Sequence, residues 1–175
     1  MKKMKKLFKI TVLFLTFSSS LQVVSQTKGK TELVKIEWPK AEKWHIADQQ
    51  KSDSQTMIEL LKGTETFENF TEIGTTYIFR GSMYIPVKDK IEELYNRVKK
   101  NSSTAKKTMI ERDEKANCPW YIYKIESPTE SQIWYAIQGK NEIYVSFWAS
   151  KNAEIKSELQ DKWVKIFKSS VINCQ

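Results

Sequence analysis

The chain is short of the residues on which much chemistry depends. Of its 175 residues, one is histidine, two are cysteine, four are proline and five are glycine. A lone histidine, His45, excludes metal sites built from several imidazoles, and no H-E-x-x-H or EF-hand spacing occurs. The few glycines form no Walker loop and no G-x-G-x-x-G, so the common nucleotide-phosphate cradles are missing. No G-x-S-x-G elbow or catalytic-cysteine signature accompanies His45. On these grounds no catalytic residue and no metal ligand is assigned, and no cofactor is expected. The scarcity of glycine and proline beside plentiful aromatics argues for a packed core rather than a disordered tail.

What is present begins with an address. Lys2, Lys3, Lys5, Lys6 and Lys9 precede the apolar run Ile10–Phe17, and small or medium residues follow up to Ser25. This is the pattern of a secretory signal peptide, and the run is shorter than the roughly 20 residues a bilayer span needs. Cleavage after Ser25 leaves residues 26–175 as a single domain with Gln26 at its start. The five leader lysines carry most of the net charge of +8; without them the chain stands at +3. So small an excess does not point to nucleic acid, and tracts such as Lys99-Lys100 read as solvated faces. The expected location is the periplasm or the exterior, with no transmembrane span in the exported chain. There, two cysteines most simply form one disulfide, Cys118–Cys174.

Hydrophobic periodicity predicts strands at 32–38, 43–49, 55–61, 73–79, 108–114, 120–126, 132–138 and 142–148. It predicts a helix over 86–100, with Val87, Ile91, Leu94, Tyr95 and Val98 on one face. A second helix is predicted over 152–169, with Ile155, Leu159, Trp163, Ile166 and Phe167 as its stripe. Gly74 reads as a bulge. The expected class is α+β: a curved antiparallel sheet with two main helices packed on it. For the last hairpin, side-chain parity favours a three-residue loop, Gly139–Asn141, which pairs Ile137 with Ile143. The opposite face then carries Trp134, Tyr144 and Trp148, a candidate binding face because a water-facing surface is seldom so aromatic.

Met57 to Glu72 resembles a group of small exported bacterial proteins of unknown function. In that group a strand runs into a segment like VPxGETxENWTEM and another strand follows. Glu65, Thr66, Glu68, Asn69, Thr71 and Glu72 match, Phe70 replaces the tryptophan, and Gly63 lies one residue early. Trp134 to Lys140 is similar to the group's second half. The layout also looks like the α/β/α sandwich of PsbP-like proteins. The resemblance brings no catalytic residues. In this turn motif (Gly63, Glu68, Asn69, Thr71), Asn69 and Thr71 are expected to hold the backbone through side-chain hydrogen bonds; the alternative is that Glu68 to Glu72 rim a pocket.

The leading functional expectation is a non-enzymatic exported protein that meets a partner protein or an envelope component. An inhibitor or immunity-type protein is one form of it. Two alternatives stand beside it: a small hydrolase using His45 or a carboxylate among Glu65, Glu68 and Glu72, and a structural envelope protein.

Overall fold

The structure, a computed structural model, describes residues 34–82 and 84–170. The leader, Cys174 and the start of the first predicted strand lie outside the described residues. Among those described, seven strands form one sheet: β1 (Trp44–Lys51), β2 (Gln55–Lys62), β3 (Glu72–Arg80), β4 (Lys106–Asp113), β5 (Trp120–Glu126), β6 (Ser131–Gln138) and β7 (Glu142–Ser150). Two helices accompany them, α1 (Val87–Asn101) and α2 (Ser157–Lys168), with a 3-10 turn at Lys40–Glu42. The order across the sheet is β1-β2-β3-β7-β6-β5-β4, and all neighbours are antiparallel. Two meanders, β1 to β3 and β4 to β7, are thus joined where β3 lies beside β7. Residues 34–38, predicted as strand, hold only a single bridge at Lys35.

The expected class does not hold. Strand accounts for 43% of the described residues and helix for 22%, which makes this a β-rich fold and not an α+β sandwich with two helical layers. Width gives the reason. Seven strands at about 4.8 Å spacing make a sheet roughly 29 Å across, whereas one helix covers only about 10 Å. A single short helix on each face is a cap over the middle strands. The β1–β2 end carries polar groups on the α1 face, including His45, Asp48, Gln50 and Glu59.

Helix α1 buries the stripe its sequence predicts, whereas α2 starts at Ser157 and not at 152, so Ile155 lies before it and Leu159 and Ile166 of the predicted stripe are only half-buried. Val87, Ile91 and Leu94 of α1 are buried, with Tyr95 and Val98 packed beside them against Tyr121, Tyr123, Trp134, Ile143 and Val145. Trp163 and Phe167 of α2, with Ile155 just before it, are buried against Ile122, Ile133, Tyr135, Tyr144 and Trp148. The two helices lie on opposite faces, so strands β5 to β7 are apolar on both.

That double burial overturns the predicted register. Gly139 N–H donates to the Glu142 carbonyl at 2.8 Å, closing a two-residue turn at Lys140-Asn141. Ile137 therefore pairs with Tyr144, and Gln138 with Ile143. Parity discriminates between registers only when one face is wet; here both are dry. Gly74 is no bulge either. It continues the regular pairing of β3 with both neighbours, and its missing side chain makes room for Trp38, whose ring a methyl group at that position would overlap (Cζ3 at 2.6 Å).

Candidate functional site

Strand directions bring four connections to one end of the sheet: the 52–54 turn, the 81–86 loop, the 114–119 loop and the 139–141 turn. Arg80 holds this end together. Its Nη1 donates to the Ser52 carbonyl at 2.8 Å, its Nη2 donates to the Thr56 hydroxyl, and its Nε lies 4.0 Å from a Glu142 carboxylate oxygen. Its backbone N–H donates to the Ser54 carbonyl at 2.8 Å. A guanidinium suits this role because its donors are fixed in a planar fork.

The loop after Arg80 turns at Gly81, whose φ of +63° is easy only without a side chain. Ile85 N–H donates to the Ser82 carbonyl at 3.0 Å, and Pro86 leads into α1. These constraints hold Tyr84 and Ile85 outward, 87% and 43% exposed. Below them lies a shallow concavity of about 320 Å³ lined by Tyr84, Ile85, Glu114, Pro119, Tyr121 and Gln138. Its walls are fixed: Gln138 N–H donates to the Pro119 carbonyl at 2.8 Å. The Asp113 carboxylate accepts from the backbone of Lys115 and Ala116 at 2.9 and 3.0 Å. Burial, and then the Glu114 carboxylate beside it, push the Tyr121 phenol above its usual range, so it stays a neutral donor.

The candidate binding face is corrected. Trp134, Tyr144 and Trp148 are 3%, 1% and 0% exposed and do not share a face. Trp134 lies under α1, stacked on Phe147 at 5.5 Å, and its indole N–H donates to the Gln132 side chain. Tyr144 and Trp148 lie on the α2 side. Trp148 stacks on Trp163 at 5.4 Å and donates its indole N–H to Glu72 at 2.7 Å. The Tyr144 hydroxyl donates to Glu142 at 2.7 Å. The aromatic surplus serves packing. Cys118 is buried in the α2-side core; its expected partner Cys174 lies outside the described residues.

The turn motif is a self-contained hydrogen-bonded loop at the other end of the sheet. Gly63 has φ +53°, and its N–H donates to the Lys43 carbonyl. The Asn69 side-chain oxygen accepts from Thr66 N–H at 2.7 Å, as expected of it. Thr71 acts differently from expectation: its N–H and hydroxyl both donate to one Glu65 oxygen, at 3.1 and 2.6 Å. Glu68 accepts from the Thr66 hydroxyl at 2.6 Å, which holds its carboxyl below the usual range. Glu72 pairs with Lys62 at 2.9 Å and accepts from Trp148. All three motif carboxylates thus have structural partners. His45 stands exposed on the edge strand β1.

Among the described residues, no group of three or more His, Cys, Asp or Glu is arranged to hold a metal ion. Nor is any helix among them long and apolar enough to cross a membrane. Sequence reasoning missed Tyr84 and Ile85. The signal was a short apolar run framed by the breakers Gly81 and Pro86, which marks a loop with an apolar tip.

Fold and site together define a class: a β-rich, single-sheet protein with an aromatic loop at one end of a rigid scaffold. No protein-family model matches the chain, and no curated protein matches it.

Proposed function

We propose that this is an exported protein that acts by binding, and that it meets a partner protein through the Tyr84–Ile85 loop and the concavity beneath it. The carrying observation is Tyr84. It is 87% exposed on a loop pinned at both ends, so its ring is presented to solvent. Tyrosine is enriched at interfaces because it buries a large rigid area at little conformational cost while its hydroxyl finds a partner. Function carried on loops above a fixed scaffold is a common arrangement. The leader pattern at residues 1–25 and the resemblance at Met57–Glu72 support an exported setting, in which an inhibitor or immunity-type role is one form of this reading.

Two measurements test it. Mass spectrometry of the exported protein, with and without reductant, should show Gln26 as the first residue and a Cys118–Cys174 bond. Affinity capture with cross-linking should recover a partner on the wild type and lose it on a Tyr84→Ser, Ile85→Ser variant whose circular dichroism is unchanged. Equal capture by both would remove the loop from the interface.

A further inference from the structure

The N-terminal arm, residues 34–38, is attached by side chains rather than by a ladder. Val34, Ile36 and Trp38 pack against the α2-side core. Trp38 sits on bare backbone at Gly74, between Trp44 at 5.0 Å and Trp163 at 5.3 Å. These three residues form a slot cut for one indole. The slot opens at the surface, since Trp38 and Trp44 are both only half-buried.

The link from arm to sheet is short and bent. Pro39 leads into the Lys40–Glu42 turn, and the turn ends at Lys43 with φ +55°. Lys43 is the one non-glycine residue with positive φ among the described residues, a left-handed conformation that a Cβ disfavours. The downstream side of the bend is anchored: Glu42 accepts from the Trp44 indole N–H at 3.0 Å and pairs with Lys162, and the Lys43 carbonyl accepts from Gly63 N–H at 3.1 Å. A strained hinge joining a fixed sheet to a short arm held by three side chains, Val34, Ile36 and Trp38, with a single backbone bridge at Lys35, is an arrangement that favours exchange of that arm between identical copies.

We propose that the Trp38 arm is an exchangeable latch, and that in a pair of copies each arm seats its Trp38 in the other's slot. The occupant is a second copy of this chain. The slot fits the incoming ring because it is the ring the slot already holds, and opening the 39–43 turn releases Lys43 from its left-handed conformation. The latch lies at the opposite end of the strands from Tyr84, so a pair formed this way leaves both loop ends free. The proposal does not depend on the binding role of that loop.

Two variants with complementary defects test it. Trp38→Ala keeps the slot and loses the latch; Gly74→Ala keeps the latch and closes the slot. Native mass spectrometry and light scattering should show a wild-type dimer fraction that rises over roughly a hundredfold range of concentration, as mass action requires. Each variant alone should be monomeric, and a mixture of the two should yield a heterodimer bridged by one arm. A wild type that stays monomeric, a mixture that stays monomeric, or a dimer of Trp38→Ala by itself would overturn the latch. Because Gly74→Ala disturbs packing, a second measurement uses Trp38→Ala alone with a synthetic peptide of residues 34–43. Its binding should saturate by calorimetry, while the same peptide carrying Trp38→Ala should not bind; no saturable binding of the first peptide also overturns the proposal.

Discussion

Glu65 shows how one carboxylate can hold a loop. A single oxygen accepts both the backbone and the hydroxyl of Thr71, six residues along. Hydrogen bonds to a charged group contribute more than neutral ones, so Glu65→Ala should lower unfolding free energy by about 1.5–3 kcal/mol in urea titration. Glu59 is the opposite case. It is partly buried opposite Asp48 across the β1–β2 ladder, and burial first, then Asp48, raises its carboxyl above the usual range. A carboxyl with a raised folded pKa weakens the fold once pH climbs past that value, and the penalty vanishes when both states are protonated. Glu59→Gln should therefore stabilise the protein near neutral pH by about 0.2–1 kcal/mol, the worth of relieving like charges directly opposite, with the gain gone in acid. Melting curves at both pH values check this. Neither role was legible in the sequence. A row of glutamates looks the same whether solvated or bonded, and only the folded loop brings Thr71 back to Glu65.

At the scale of elements, the helices were readable and the hairpin was not. The stripe through Ile91 and Leu94 and the pair Trp163 and Phe167 follow from a 3.6-residue period, which is set within one segment. The β6–β7 register depends on what covers each face, and that information lies in α1 and α2, far along the chain. Trp163 is the anchor of the α2 side: fully buried, stacked on Trp148 and edge-on to Trp38 and Trp44. Trp163→Ala should cost about 3–5 kcal/mol, the range for removing a large buried ring, and near-ultraviolet circular dichroism should lose signal from the whole tryptophan cluster. The charged rim of that cluster runs from Lys162 of α2 through Glu42 and Lys62 to Glu72. It ties one helix to the turn before β1, the end of β2 and the start of β3.

For the whole molecule, the long-range joint is β3 against β7, which unites two meanders into one sheet. The buried tyrosines on both faces make that sheet sensitive to alkali. Burial pushes the Tyr123 phenol up to about 12 from an ordinary 10, with the Glu92 charge adding to it. Tyr77, Tyr121 and Tyr135 move the same way, burial again leading. The unfolded chain loses these protons near its ordinary value while the folded chain keeps them, so stability should fall between about pH 10 and 12. Thermal melts across that window should show the drop, and Tyr123→Phe should flatten it. If the proposed Cys118–Cys174 bond forms, reductant should lower stability by up to about 4 kcal/mol, the entropy of closing so long a loop in the unfolded chain. Local sequence placed the seven sheet strands and both helices, the α1 stripe, the Trp163–Phe167 pair of α2 and the break at Gly63, because propensity and periodicity act within a few residues; it did not place the 34–38 arm or the start of α2. Tertiary structure alone decided the strand order, the β-rich class, the register of β6 and β7, the burial of Trp134, Tyr144 and Trp148, and the exposure of Tyr84. Each of those depends on which distant segment covers a given face, and local alternation carries no record of that once both faces are dry.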